Sequence, residues 1–366
     1  MRTGVITFHS AHNYGATLQT WALQKTLKKL GAGPCVIHYH PDSIDRLYLP
    51  PRLDTFAAKW KYLTKKKVRV RTRKLRKKYD KYTKFLAEHF ELCGNYRTYE
   101  ELKTNPPKLD CYITGSDQVW NTDHTKGFDP AYLLDFAEKG SRKISYAASV
   151  GRANFLPQYR EEFEKSLRTF DAISVREESA RQAVEEASGK EVSVVLDPTL
   201  LLNREEYDEI KVPSERKERY ILVYMMENNK SMIRLANSIS VATGLPIIQR
   251  KPSKLFRNEL ESFFTHTPGE FLGEIEKADY VITNSFHGTV FSIIYNRPFI
   301  SMLHSETGSR TIDLLKTLGL ERHILEDAKA FRNMGQFTIE SPDTLRLRIE
   351  TLRLESLEFL KQALSK

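Results

Sequence analysis

The stretch Val281–Ile300, VITNSFHGTVFSIIYNRPFI, decides the fold. It reads as an apolar run of strand length, a polar turn, a helix-like pattern and the start of a second apolar run. Strand, helix and strand in so few residues imply parallel strands joined by a crossover helix. A histidine buried for packing belongs inside an apolar run, yet His287 stands where the strand passes into the helix. Asn284 or Ser285 can cap that helix, which leaves His287 in the first turn, beside unpaired N–H groups and the positive end of the dipole. Such a terminus attracts a carboxylate or a phosphate. Gly288 allows close backbone approach, and an imidazole there can donate to an anion and exchange protons near neutral pH. The bland alternative is a neutral histidine that only caps a helix.

The same alternation extends in both directions. Strand (Gly4 to Phe8), loop, helix (Tyr14 to Leu30) and strand (Val36 to Tyr39) open the chain, with Gly31 as helix stop. The runs CYIT, KISYAASVG, DAISV and VSVVLDPTLLL read as further strands, the last one buried and ending at Asp197-Pro198. A charged stretch with Pro213, 203–219, reads as a linker. Beyond it YILVYMM, LPIIQR, DYVIT and PFISML alternate with helices, and Ser341-Pro342 opens a final helix, 341–366. The expected class is α/β: two doubly wound domains, 1–202 and 220–340, facing a cleft, with a basic helical insertion at about 55–90.

Ligands of such sheets bind outside the carboxyl ends of the strands, and polar groups collect there. His12, Asn13 and Tyr14 follow the first strand; Gly115, Ser116, Asp117 and Gln118 follow CYIT; Arg176 follows DAISV. The run PFISML is followed by His304, Glu306 and Arg310. Arg176 offers a planar fork for phosphate or carboxylate, or else pairs with Glu177 or Glu178. Absent motifs narrow the chemistry. There is no GxGxxG, GxxxxGK[ST], GxSxG or HExxH, and the scattered Asp117, Asp123 and Asp129 lack calcium-loop spacing. No metal and no cofactor is expected.

The net charge of +10 is local. From Lys59 to Lys84 there are fourteen Lys and Arg against one Asp, a segment charge of +13, so the rest is net acidic. A solvated helical face, an anionic membrane surface and a nucleic acid compete to explain the segment. The nucleic acid is the weakest, since no recognition module flanks it, and none is expected as partner. Trp60, Leu63, Leu75, Tyr79, Tyr82 and Leu86 supply the apolar material that a membrane surface requires. Three cysteines without CxxC spacing argue for a reduced compartment and against disulfides or zinc. With no leader and no membrane-length apolar run, the expected location is the cytoplasm, or the inner face of the plasma membrane if the basic segment meets lipid.

Five blocks, GVITFHSAHNYGATLQTWALQKTLKKLG, GSDQVWN, ISVREESA, VLDPTLLL and ITNSFHGTVFSIIYNRPFI, resemble the polysaccharide pyruvyltransferase family in order and spacing, from Gly4 to about Leu315. The resemblance implies a fold similar to the two-domain GT-B glycosyltransferases. It also implies phosphoenolpyruvate as donor and co-substrate, and a sugar diol as acceptor, lipid diphosphate-linked units included, joined as a cyclic pyruvate ketal. On this reading His287 is the catalytic acid–base. Arg176, Ser285, Phe286, His287, Gly288 and Arg310 hold the donor; His12, Asn13, Tyr14, Asp117 and Gln118 face the acceptor. Members of the family carry an arginine two positions before the histidine, where this chain has Ser285. That leaves the donor to Arg176 and Arg310, or implies a different donor. The rival readings are a nucleotide-sugar glycosyltransferase, with Glu306 for the ribose hydroxyls, and a non-catalytic polysaccharide-assembly protein.

Overall fold

The structure, a computed structural model, describes residues 1–366 apart from Leu47, 251–254, Arg257 and Lys366. Two parallel sheets carry it. The first comprises β1 Arg2–Ile6, β2 Gly33–Tyr39, β3 Leu92–Tyr96, β4 Cys111–Thr114, β5 Arg142–Ala148, β6 Ala172–Val175 and β7 Val192–Val194, in the order β3-β2-β1-β4-β5-β6-β7. The second comprises β8 Ile221–Tyr224, β9 Ile247–Gln249, β10 Tyr280–Thr283 and β11 Phe299–Ser301, in the order β11-β10-β8-β9. The longer helices are α1 Tyr14–Lys29, α2 Phe56–Thr64, α3 Lys66–His89, α4 Arg160–Leu167 and α5 Glu178–Ser188, followed by α6 Lys230–Thr243, α7 Pro268–Lys277, α8 Phe286–Ile294, α9 Ser309–Leu318 and α10 Pro342–Ser365.

Central strands such as CYIT and ILVY are buried along their whole length. Helices on both faces of a parallel sheet leave no polar side, which is why these strands read as continuous apolar runs. Val5 packs on one face of the first sheet with Leu23, Leu27 and Ile113, and Ile6 on the other with Tyr112 and Phe8. A further core joins the two halves: Tyr14, Leu18 and Trp21 of α1 share it with Phe271 of α7 and Val290 and Phe291 of α8. The order of strands reverses at β1/β4 in one sheet and at β8/β10 in the other. Both crevices therefore open between the domains.

Several expectations shift. The first ladder runs Arg2–Ile6 and not Gly4–Phe8, because Phe8 turns away to meet Tyr132 edge-on at 5.0 Å between ring centroids. β7 is a short edge strand ending at Val194; the chain leaves the sheet there and reaches Asp197 outside the ladder. The stretch 203–219 is packed chain. It starts with a short helix, Arg204–Asp208, capped by Asn203, then lies on α7. There the carbonyls of Ile210 and Val212 would meet a Cβ on Gly269 and Gly273 at 2.2 and 2.0 Å, and Arg216 pairs with buried Glu274 at 3.1 Å. The final helix starts at Pro342 as expected and crosses back to the first sheet, where Leu360 and Ala363 pack with Val5 and Leu23.

The cysteine reading is corrected. Cys35 on β2 and Cys93 on β3 are disulfide-bonded, with Cα atoms 5.8 Å apart. They lie 58 residues apart in sequence, and only the parallel β2–β3 pairing makes them neighbours, so spacing gave no sign of it. Cysteine count therefore assigns no compartment. Among the described residues no helix is long and apolar enough to cross a membrane.

Candidate active site

Loops after β1, β4, β8, β10 and β11 enclose a cavity of about 220 Å³ between the two sheets. At its second-domain wall Ser285 caps α8, accepting from the Gly288 N–H at 3.3 Å. Asn284, the other possible cap, is committed elsewhere. It accepts from the Met226 N–H at 2.7 Å and donates to the Glu227 carbonyl at 3.0 Å, which ties the β8 and β10 loops together. His287 thus occupies the first helical turn, 7% exposed but on the cavity wall. Its ring lies against the start of α1 in the other domain: a Cβ on Gly15 would stand 2.1 Å from Nδ1. Gly288 is packed behind the wall, where a Cβ would meet Thr283 Oγ1 at 2.4 Å.

On its far side His287 faces an acid that motif reading passed over. Nε2 lies 3.6 Å from Asp197 Oδ2, within ion-pair range, and has no hydrogen-bond partner among the described residues. Asp197 is fully enclosed. Its Oδ2 accepts from Arg176 Nη1 and Ser116 Oγ, each at 2.9 Å; its Oδ1 accepts from the Thr199 N–H at 3.0 Å and the Thr199 hydroxyl at 2.6 Å. Burial alone would raise this carboxyl, but His287 and Arg176 beside it outweigh burial and hold it well below the usual carboxylate range. A permanent anion therefore stands behind the imidazole. The rule that polar groups at strand ends form the site would have picked out Asp197, since it follows β7.

Arg176 does not line the cavity. It lies beneath, bonded to Asp197 and with Nε 3.8 Å from Glu177 Oε2, so its role as a direct donor ligand is corrected to that of a buried partner. Burial disfavours its charge, but Asp197, Glu177 and Asp117 outweigh this and raise its pKa. The Phe286 ring is shared by two guanidinium groups, Arg176 at 4.6 Å from the ring centre and Arg310 at 5.8 Å. Arg310 does line the cavity. Burial, followed by the nearby Arg176 charge, lowers it to about 10, so it remains a cation at neutral pH.

The first-domain wall holds Asn13, Asp117 and Gln118, together with Asn121 and His124, which sequence reasoning missed. Asp117 adopts φ +76, a left-handed backbone costly for a side chain. Hydrogen bonds to its carbonyl from the Val119 and Ser149 N–H groups, at 2.8 and 3.0 Å, hold it there. Burial lowers the pKa of His124, Asp117 raises it and Arg310 lowers it further. His12 and Tyr14 lie outside the cavity, contrary to the acceptor assignment. His12 stacks on Tyr82 with centroids 4.8 Å apart. Tyr14 stacks on Phe271 at 4.4 Å and donates to the Phe263 carbonyl at 2.7 Å, acting as a bolt between the domains. Asp117, Asp123 and Glu306 face Arg310 and the three histidines His124, His287 and His304, so the cleft is mixed in charge and not uniformly cationic.

The sequence profile of the family described as polysaccharide pyruvyl transferase matches residues 13–306. Among the curated proteins no sequence matches. Of solved structures, the UDP-GlcNAc 2-epimerase of Neisseria meningitidis is similar with a TM-score of 0.51 and 9% identity, over 100% of this chain and 99% of that one. The spinosyn forosaminyltransferase is similar with a TM-score of 0.43 and 13% identity, over 98% and 95%. The first likeness, with the two parallel sheets, makes the fold GT-B-like.

Proposed function

Because the chain belongs to the polysaccharide pyruvyl transferase family, we propose that it transfers pyruvate from phosphoenolpyruvate to a sugar diol, closing a cyclic ketal and releasing phosphate. One observation carries the reading: an imidazole at a helix N-terminus, backed by a permanent carboxylate, faces a cavity that also holds a buried guanidinium. The donor's methylene carbon takes a proton, and one sugar hydroxyl adds to the adjacent carbon as it gives up its own. The carbon–oxygen bond to phosphate breaks with its electron pair, and the second hydroxyl closes the ring while its proton leaves with phosphate. Two hydroxyl protons are thus placed, one in the new methyl group and one on the leaving group.

His287 suits the proton transfers, worth about 10²- to 10⁴-fold in rate, and Asp197 stands 3.6 Å behind its Nε2. Arg310 and the free N–H groups of α8 suit the donor's phosphate and carboxylate. Arg176 supports them through Asp197 and Phe286. Asp117, Gln118 and Asn121 offer acceptors and donors for sugar hydroxyls on the opposite wall. The acceptor is a polysaccharide or lipid-linked repeat unit. The acid Glu306 on the cavity rim favours a second reading, a glycosyltransferase whose nucleotide ribose it would hold.

Incubation with phosphoenolpyruvate and candidate pyranosides tests the proposal: acceptor-dependent phosphate release with a product mass gain equal to a pyruvate ketal is expected. Thermal shift separates the two readings, because a ligand at 100 times its Kd stabilises by about 2.7 kcal/mol. Stabilisation by uridine diphosphate but not by phosphoenolpyruvate would overturn pyruvyl transfer.

A further inference from the structure

The basic segment forms two helices, α2 and α3, that meet at Lys65. Between Lys59 and Lys77 stand eleven Lys and Arg and no acid. All but Arg69 are exposed, and none of them joins an ion pair among the described residues. On α2 nothing is buried. Phe56, Trp60 and Leu63, at positions i, i+4 and i+7, share one face and are 82%, 59% and 64% exposed. An apolar face beside a dense row of unpaired cations is the composition of a helix that lies in a membrane interface. Its charges complement anionic headgroups.

The inner end of α3 is anchored to the cleft. Lys78 Nζ donates to the His12 carbonyl at 2.9 Å, and the Tyr82 ring stacks on His12. Lys81 pairs with Glu270 of α7 in the second domain at 2.6 Å. The exposed hairpin is thus rooted on both halves of the molecule beside the loop that follows β1.

We propose that residues 56–77 dock on an anionic bilayer, with Phe56, Trp60 and Leu63 entering the headgroup region and the basic row lying on lipid phosphates. The cleft then faces acceptors held at that surface, a consequence that rests on the proposed transfer, whereas docking itself does not. The test therefore uses neither donor nor acceptor: the full chain is mixed with phosphatidylcholine vesicles with and without phosphatidylglycerol. Trp21 and Trp120 are buried and Trp60 is exposed, so a blue shift of fluorescence reports Trp60 entering lipid.

The expected result is sedimentation and a blue shift with anionic vesicles alone, weakening as salt is added. A triple Lys65→Gln, Lys66→Gln, Lys67→Gln variant should bind about tenfold more weakly or worse. A triple Phe56→Ser, Trp60→Ser, Leu63→Ser variant should lose retention at high salt; both sets sit on exposed positions, and an unchanged melting temperature shows that they fold. Equal affinity for neutral vesicles, no vesicle binding, or binding to a duplex oligonucleotide in place of vesicles would each overturn the proposal.

Discussion

Two regions hold concentrated charge under opposite conditions. Beneath the cleft, Asp197 and Arg176 are enclosed, and the carboxylate accepts four hydrogen bonds, one of them from Arg176, that compensate its charge. Along Lys59–Lys77, like charges stand without an ion-pair partner among the described residues, all exposed except Arg69, which is half-buried and donates to the Leu63 carbonyl at 3.1 Å. An uncompensated charge is intolerable inside and cheap outside, so pairing marks the part that the fold requires, and its absence marks a surface left for something else. If this contrast is real, the same loss of one charge must cost several kcal/mol in the first region and almost nothing in the second.

The largest effect is expected at Asp197. Asp197→Ala leaves the Arg176 guanidinium buried with only Glu177 at 3.8 Å, and removing one partner of a buried pair costs about 3–5 kcal/mol. Urea denaturation measures this; a loss below about 1 kcal/mol would place the floor among ordinary surface pairs. The effect has a defined pH sign. A carboxyl with a lowered folded pKa contributes stability above its unfolded value of about 3.9, and that stability is lost as pH falls through the folded value. The gap between wild type and Asp197→Asn should therefore be full at neutral pH and narrow in strong acid.

The next effects belong to chemistry and not to folding. His287→Gln should lower phosphate release by about 10²- to 10⁴-fold with little change in melting temperature. Gly15→Ala should reproduce much of that loss from the opposite domain, because its new Cβ would meet the imidazole 2.1 Å away. A displacement of the order of 1 Å costs on the order of 10²-fold. Full activity in Gly15→Ala would show that the ring position seen here is not the working one.

The sequence made much of this visible because it rests on local rules. Alternating apolar runs and helical stripes specify parallel sheets, and a polar residue after each strand points to the crevice; His287, Ser285, Asp117 and Arg310 were found in that way. What escaped depended on distant partners. Nothing near Arg176 announces that it turns down toward Asp197, 21 residues on, rather than up into the cavity. Tyr14 reads as a loop aromatic until Phe271 and the Phe263 carbonyl arrive from the second domain. The Cys35–Cys93 bond required knowing that β2 and β3 pair.

A third buried group sharpens the contrast by remaining neutral. His9, fully enclosed, is lowered to about 3 by burial and then by His38, whose Nδ1 is 2.9 Å from His9 Nε2; His38 itself is lowered to about 4. Because the unfolded chain takes up these protons near pH 6.5 and the folded chain does not, stability is complete above that pH. Each such histidine removes about 1.4 kcal/mol per pH unit as pH falls toward its folded value. His9→Gln should flatten the stability profile between about pH 6.5 and 4; an unchanged slope would mean that His9 does not act as a buried neutral base.

The smallest effect is expected on the hairpin, and it carries the other half of the contrast. Lys67 and Arg71, Arg69 and Arg73, and Arg73 and Lys77 stand four residues apart on α3, so like charges meet on successive turns. Each such pair destabilises a helix by about 0.2–0.5 kcal/mol. Replacing Arg71 and Arg73 by Gln removes repulsion and breaks no bond. The melting temperature should stay the same or rise slightly, and added salt, which screens the repulsion, should narrow the difference. A loss of more than about 1 kcal/mol would exceed what exposed positions give. It would mean that these cations already have a partner within the molecule, and the division between a charge-paired floor and an unpaired surface would fail.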